Sequence, residues 1–302
     1  MSLVRVQVPA TSANLGPGFD CLGIAWELYT TVELAPLAGG LFIEVSGEGA
    51  AEIPRDERNL VYQAARAVFR QVDRAPTGLR IRIINNIPVA RGLGGSAAAV
   101  VGGIVAANVL VGRQLSVRQL LALACQMEGH PDNVAAALLG GLVVAAVADG
   151  EVKYVRVTPP PGLKAVVAVP ELRLATRTAR EVLPKQVNFQ DAVFNVGRAA
   201  LLVAALLQGE LGLLGTAMED RLHQCFQFNL MPGVKKVVAA ARLAGARGVA
   251  LSGAGPAVVA IADANFELIA RVMRDTFRQS GIPTRVLILN PCPVGARALE
   301  RK

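Results

Sequence analysis

The segment Pro88-Val-Ala-Arg-Gly-Leu-Gly-Gly-Ser-Ala-Ala-Ala constrains this chain more than any other stretch of it. Leu79 to Ile87 alternates apolar and polar residues and predicts a strand running into the segment. An uncharged Ala/Val/Gly run from about Ser96 predicts a long helix leaving it. Between them, glycines let the backbone turn without Cβ clashes, so successive N–H groups can face one anion. The helix N-terminus adds a partial positive charge that suits a phosphate. Ser96 stands at the helix start, where a hydroxyl can cap the helix or ligate a phosphate-bound Mg²⁺.

Three structures fit such a loop. One is a tight turn with an N-cap and no ligand. The second is a dinucleotide site, because Gly92, Gly94 and Ala97 satisfy G-x-G-x-x-G/A. That site needs a ribose-binding acid about 20 residues on, where this chain reads VLVGRQLS and offers none before Glu128. The third is a triphosphate cradle. No G-x-x-x-x-G-K-S/T occurs, which excludes a P-loop NTPase.

Charge favours an anion. No acidic residue lies between Asp73 and Glu128, whereas Arg80, Arg82, Arg91, Arg113 and Arg118 do. The whole chain carries a net charge of +8, but its arginines are scattered and aromatics make up only 4%. A basic stripe with stacking aromatics is therefore missing, and no nucleic-acid partner is expected. Cys21, Cys125, Cys225 and Cys292 lie far apart in no metal spacing, so free thiols in a reducing cytoplasm are expected. The opening MSLVRVQVPATSANLGPGF reads as a strand and a Gly/Pro turn, not a signal peptide. Gly92 to Gly112 is uncharged and long enough to span a membrane, but its Gly and Ala content favours a buried core helix, so no membrane partner is expected.

Around the loop, strands are expected at Val4–Pro9, Glu27–Leu34, Leu41–Ser46, Gly141–Val147, Lys164–Pro170 and Thr284–Leu289. A loop is expected from Thr11 to Gly23, and two strands within Gly248–Ala262 around Ser-Gly-Ala-Gly-Pro. Helices are expected at Asn59–Val72 with Asn59 as cap, Val117–Met127, a short one from Asn133, Phe189–Gln208, Val234–Ala244 and Phe266–Gln279. Thr158 to Gly162 (TPPPG) is the best linker. The mixture is α+β with hairpin-like pairs, and the length suits two domains.

The phosphate-binding segment resembles that of the GHMP kinases (galactokinase, homoserine kinase, mevalonate kinase, phosphomevalonate kinase), usually P-x-x-x-G-L-G-S-S-A. Gly95 here stands where the first serine is usual, leaving Ser96 in place. Other motifs resemble the homoserine kinases of that family: Val8 to Gly23 (VPATSANLGPGFDCLG), Glu128 to Ala135 (EGHPDNVA), and T-x-x-x-R-x-x-L-P through Thr176, Arg180, Leu183 and Pro184. Leu251-Ser-Gly-Ala-Gly-Pro-Ala resembles the glycine loop that supports the phosphate loop.

The resemblance implies a two-domain fold: an S5-like βαβ phosphate-loop domain over residues 1–158 and a ferredoxin-like domain over 159–302. It implies ATP-dependent phosphorylation of homoserine, in threonine biosynthesis. The nucleotide side would be Asn59 with Pro88, Val89, Ala90, Arg91, Gly92, Leu93, Gly94, Gly95, Ser96, Ala97 and Ala98. Mg²⁺ would be held by Ser96 and Glu128. Asp20 would meet the substrate ammonium, Arg180 its carboxylate, and Asn14 would lie by the phosphoryl acceptor. Asn14, Asn133, Thr176 and Arg180 are the catalytic candidates. Asn133 falls where mevalonate kinases place an Asp, which implies catalysis by positioning and electrostatics. His130 has the chemistry of a base, but a His beside Pro in a turn is commonly structural.

One segment departs from the pattern. D-x-x-H-x-P-Y/F-R is met by Asp220, His223 and Phe226, but Cys225 replaces the Pro and Gln227 the Arg that helps hold the substrate carboxylate. With Gln227 there, a looser hold on the carboxylate is expected, or a substrate without one. A kinase for another small amino acid or alcohol, and a nucleotide-binding regulator without turnover, are the alternatives. A homodimer is open to such a chain.

Overall fold

The computed structural model describes residues 3 to 299. Met1 and Ser2, which begin the segment read above as lacking a signal peptide, lie outside the described residues, as do residues 300–302.

The first sheet starts with β1 (Val4–Asn14) and β2 (Gly18–Leu37), paired antiparallel. The loop expected over Thr11–Gly23 is thus mostly strand, and the turn shrinks to Leu15–Pro17. The alternation that marks a strand is missing there for a physical reason. Ala10, Thr11, Ser12 and Ala13 are all buried, so neither face needs to be polar. Register shifts at Pro9/Ala10 and Ala13/Asn14 bend the pair.

β3 (Gly40–Gly47), α1 (Leu60–Gln71) and β4 (Gly78–Asn85) form a βαβ unit with β3 and β4 parallel. Asn59 caps α1 as expected, accepting from the N–H groups of Val61 and Tyr62. β4 stops at Asn85, short of the expected Ile87. The Asn85 amide turns the chain by accepting from the Ile87 N–H and the Thr30 hydroxyl and donating to the carbonyls of Glu48 and Ile87.

α2 (Gly95–Leu110), α3 (Val117–Glu128) and α4 (Asp132–Leu139) follow. The membrane-like composition of α2 serves packing. A Cβ on Gly103 would meet the Val61 carbonyl of α1 at 2.4 Å, and one on Gly102 would meet Val32 of β2 at 2.7 Å. β5 (Leu142–Ala148) pairs with β2 and with β6 (Glu151–Val157), a strand not among those expected. The sheet runs β1-β2-β4-β3, with β5 pairing to β2 and β6 to β5.

The chain passes to a second sheet at β7 (Lys164–Pro170). Helices α5 (Thr176–Glu181), α6 (Phe189–Gln208), α7 (Leu214–Ala217), α8 (Gln224–Gln227) and α9 (Val234–Leu243) lead to the hairpin β8 (Gly248–Leu251) and β9 (Val258–Ala262). Then come α10 (Phe266–Gln279) and β10 (Thr284–Leu289). The antiparallel order β10-β7-β9-β8, with α9 and α10 packed on it, is ferredoxin-like. α10 buries Ile269, Met273 and Phe277, four residues apart, on that core. The last strand, β11 (Arg297–Leu299), returns to pair with β1, so the final segment belongs to the first sheet. Among the described residues, α6 is the helix long and apolar enough to cross a membrane by length and composition.

Candidate active site

A cleft of about 520 Å³ runs between the phosphate loop and the α5 segment. At one end, the loop after β4 is fixed by backbone contacts. Gly92 has φ +78, and a Cβ there would sit 2.2 Å from the Ser252 carbonyl. Ala257 N–H donates to the Arg91 carbonyl, and Gly253 N–H to that of Ala13. The Ser-Gly-Ala-Gly-Pro loop between β8 and β9 therefore lies directly against the phosphate loop.

A buried side-chain series reinforces it. The Gly92 carbonyl can only accept, so the Ser252 hydroxyl donates to it. Ser12 Oγ must then donate to Ser252 Oγ at 2.7 Å, and Trp26 Nε1–H donates to Ser12 Oγ at 2.8 Å. Thr11 donates to Asn133 Oδ1 at 2.7 Å, directly under Gly94, whose missing Cβ would overlap the Thr11 hydroxyl. Sequence reasoning missed Thr11, Ser12, Trp26 and Ser252. The available signal was hydroxyls flanked by apolar residues, which must find partners when buried.

Gly94, in the left-handed conformation at φ 69, is the N-cap of α2, so Ser96 does not cap the helix. Its hydroxyl donates instead to Glu128 Oε2 at 3.0 Å, from the end of α3. Burial holds the Glu128 carboxyl above its ordinary pKa, partly offset by that hydrogen bond. A hydroxyl and a desolvated carboxylate beside a helix N-terminus are hard oxygen donors that fit Mg²⁺. Val89, Ala90, Arg91, Gly92, Gly94, Gly95 and Ser96 line the cleft. Pro88, Leu93, Ala97 and Ala98 do not: their side chains are buried and anchor the loop and helix to the core. Asn59 also lines the cleft, but its amide is engaged by the α1 cap and the Pro54 carbonyl.

The other end is built from side chains. Asn14 and Asp20 both adopt positive φ, 70 and 58. Asn14 donates to the Gly253 carbonyl and accepts from Asp20 N–H, which ties them to each other and to the glycine loop. Arg180, on α5, forks onto the Asp20 carboxylate, with Nη1 to Oδ2 at 3.0 Å and Nη2 to Oδ1. Its guanidinium lies 5.0 Å from the centre of the Phe19 ring.

Beside Asp20, His130 Nδ1 lies 2.5 Å from Asp132 Oδ1, at the start of α4. That hydrogen bond raises the His130 pKa above its ordinary value, against the effect of burial. Asp20, His130 and Asp132 bring ligand atoms within 4.8 Å of one another, a locally acidic wall. Asn133 and Thr176 line the same cavity.

Gln227 also lines the cleft, and its amide is engaged by neighbouring groups. It is fully buried, its Oε1 lies 3.0 Å from His223 Nδ1, and its Nε2 donates to the Ala179 carbonyl. His223 Nε2 donates to the Gly16 carbonyl at 2.6 Å. The Gln227 amide thus braces the turn that carries Asn14 and the helix that carries Arg180.

Known proteins match this architecture. The model for the GHMP kinases N-terminal domain matches residues 59–141, and that for the GHMP kinases C-terminal region residues 202–279. A homoserine kinase of Moorella thermoacetica is 48% identical over 98% of this chain and 99% of its own. One of Symbiobacterium thermophilum is 50% identical over 99% of this chain and 95% of its own. The crystal structure of homoserine kinase from Cytophaga hutchinsonii superposes with a TM-score of 0.91 at 31% identity, covering 99% of this chain and 98% of that one.

Proposed function

The chain belongs to the GHMP kinase family, and from that premise we propose that its cleft moves the γ-phosphoryl group of ATP to the side-chain hydroxyl of L-homoserine. The products are ADP and O-phospho-L-homoserine, in threonine biosynthesis. The observation that carries this reading is one cleft with two contrasting ends. A glycine-lined helix N-terminus with the Ser96–Glu128 pair suits a triphosphate, and the Asp20–Arg180 pair suits the two charges of an amino acid.

In this reading the triphosphate lies along the loop from Val89 to Ser96, facing the first turn of α2. Ser96 and Glu128 would hold Mg²⁺, which would supply neutralisation of the triphosphate charge. The homoserine ammonium faces Asp20 and the acidic wall, and its carboxylate faces Arg180. Asn14, Asn133 and Thr176 orient the hydroxyl. The substrate oxygen forms a bond to Pγ, the bond from Pγ to the bridging oxygen breaks, and the hydroxyl proton passes to a phosphoryl oxygen. Asn133 has no basicity to take that proton, and its Oδ1 already accepts from Thr11. The residues therefore act by position and field, which a loose phosphoryl-transfer transition state tolerates.

ADP release, measured with homoserine, serine, threonine and mevalonate, tests the assignment. Homoserine is expected to lead in kcat/KM by at least about tenfold, the effect of one well-placed polar contact. A competitor that equals it overturns the substrate.

A further inference from the structure

We propose that the outward face of α6 is a self-association surface, on which a second copy of this chain packs its own α6 antiparallel. No residue of α6 lines the cleft, so the surface is separate from the site already described.

α6 is apolar along its length, yet only 22% of its most apolar stretch is buried. Its inner face is committed. Leu202, Ala205 and Leu206 enter the core, and Asn195 donates to Asp220 and to the Pro17 carbonyl. Its two charged residues are engaged within the chain: Asp191 accepts from Arg221, and Arg198 donates to Glu219. The helix therefore cannot roll to bury its other side, and that side carries no charge. Phe189, Val193, Val196, Ala200, Ala204 and Leu207 are all exposed there, Phe189 by 82% and Val196 by 71%. From these exposures each copy offers roughly 500 Å² of apolar surface, so a pair buries about 1,000 Å², the size at which a specific interface begins.

Those six residues are spaced by threes and fours, the seam that a second helix fills. The seam is self-complementary about a twofold axis level with residue 198. Antiparallel pairing there sets Val196 opposite Ala200 and Val193 opposite Ala204, large against small, with Phe189 opposite Leu207 at each end. Gly197, also exposed, lets the two backbones approach at the crossing. A twofold contact of this kind closes on itself, and the antiparallel helix dipoles attract. A lipid surface fits this face less well. Helices that lie on membranes carry large apolar residues inward and Lys or Arg beside them. The middle of this face is instead Gly and Ala, and its ends are Gln190 and Gln208.

Sedimentation velocity of the full chain without detergent is expected to show twice the chain mass at micromolar concentration. Val196→Glu brings a carboxylate from each copy to the axis, and it is expected to raise the dissociation constant at least about a hundredfold. Ala200→Glu is expected to do the same, and thermal melting shows that each variant is folded. Val155→Glu, at a Val of β6 that is 64% exposed, should leave the dimer intact. Orientation is read by diamide oxidation in a Cys225→Ser background. Gly197→Cys lies beside the axis, where a Cβ meets nothing within 4 Å, and should cross-link to its mate. Phe189→Cys lies about 27 Å from its mate in the antiparallel pair and should not. Several results overturn the proposal: a monomeric wild type, a dimer that survives both α6 substitutions in folded protein, or an equal loss at Val155→Glu. Cross-linking at Phe189→Cys, or none at Gly197→Cys, does so too. A monomer that floats with phosphatidylcholine and phosphatidylglycerol vesicles would assign the face to a membrane instead.

Discussion

The two ends of the cleft are made by opposite means. The phosphate end is backbone: Gly92 and Gly94 adopt positive φ, and a Cβ on either would overlap the Ser252 carbonyl or the Thr11 hydroxyl. The amino-acid end is side chain, with Asp20, Arg180, His130 and Gln227 drawn from four separate stretches of chain. The difference teaches where each end tolerates change. A triphosphate is recognised by N–H groups that every residue has, so the constraint there falls on the absence of side chains. A small zwitterion is recognised by particular charges, so there the constraint falls on which side chains are present.

Glu128 gives the sharpest test, because it is the carboxylate that pairs with Ser96 at the backbone end. Glu128→Gln is expected to lower kcat by roughly 30- to 1000-fold, the scale of a lost metal ligand that stabilises developing charge. KM for ATP should change little, since the loop N–H groups remain. A near-normal kcat at saturating Mg²⁺ removes Glu128 from the metal site and leaves the backbone end self-sufficient.

Ser252→Ala attacks the buried hydroxyl series instead. It leaves the Gly92 carbonyl without its side-chain donor and the Ser12 hydroxyl proton without an acceptor, at a cost of about 1–3 kcal/mol in stability. The ends should respond unequally, with KM rising several-fold for ATP and hardly at all for homoserine. Equal changes in both KM values would mean that the ends are one mechanical unit.

The amino-acid end should show itself in the pH dependence of stability. His130 has a raised pKa in the folded protein, chiefly through its hydrogen bond to Asp132. Above an ordinary value of about 6.5 the folded state therefore binds more protons than the unfolded state, and stability falls as pH rises. This contribution is complete below the unfolded value and is lost on rising through the folded one. His130→Ala should flatten that part of the curve in urea unfolding measured in pH steps. An unchanged slope would show that the Asp132 contact does not favour the charged ring.

The smallest effect is expected at Gly95→Ser. A Cβ there meets nothing nearer than 3.8 Å, and the φ is ordinary. Stability should stay within about 0.5 kcal/mol, and KM for ATP within about twofold, by the same scale. A large loss would mean that backbone exclusion extends one residue further than Gly94.

Much of this protein could be read before its structure. The glycine loop between a strand and a helix, the Asn59 cap, α6 and α10 are local features, set by residues within a few positions of one another. The resemblance of the phosphate loop, of EGHPDNVA and of T-x-x-x-R-x-x-L-P pointed to the residues that line both ends of the cleft. Local pattern failed at Thr11–Gly23, because a strand buried on both faces loses its alternation. At Ser96 local pattern allowed either a helix cap or an Mg²⁺ ligand; the helix is capped by the glycine conformation at Gly94, and the hydroxyl turns to Glu128.

The sequence by itself determined most of the elements, the glycine turn and helix start that suit an anion, and which charges are available. Tertiary structure decided what those charges and amides do. Arg180 rests on Asp20, Thr11 turns Asn133, and the Gln227 amide at the cleft wall is engaged by His223 and the Ala179 carbonyl. Backbone conformation is set mainly by near neighbours through steric exclusion. A side-chain partner 160 positions away is chosen only when two sheets close over the same cavity and each buried polar group must find a counterpart there.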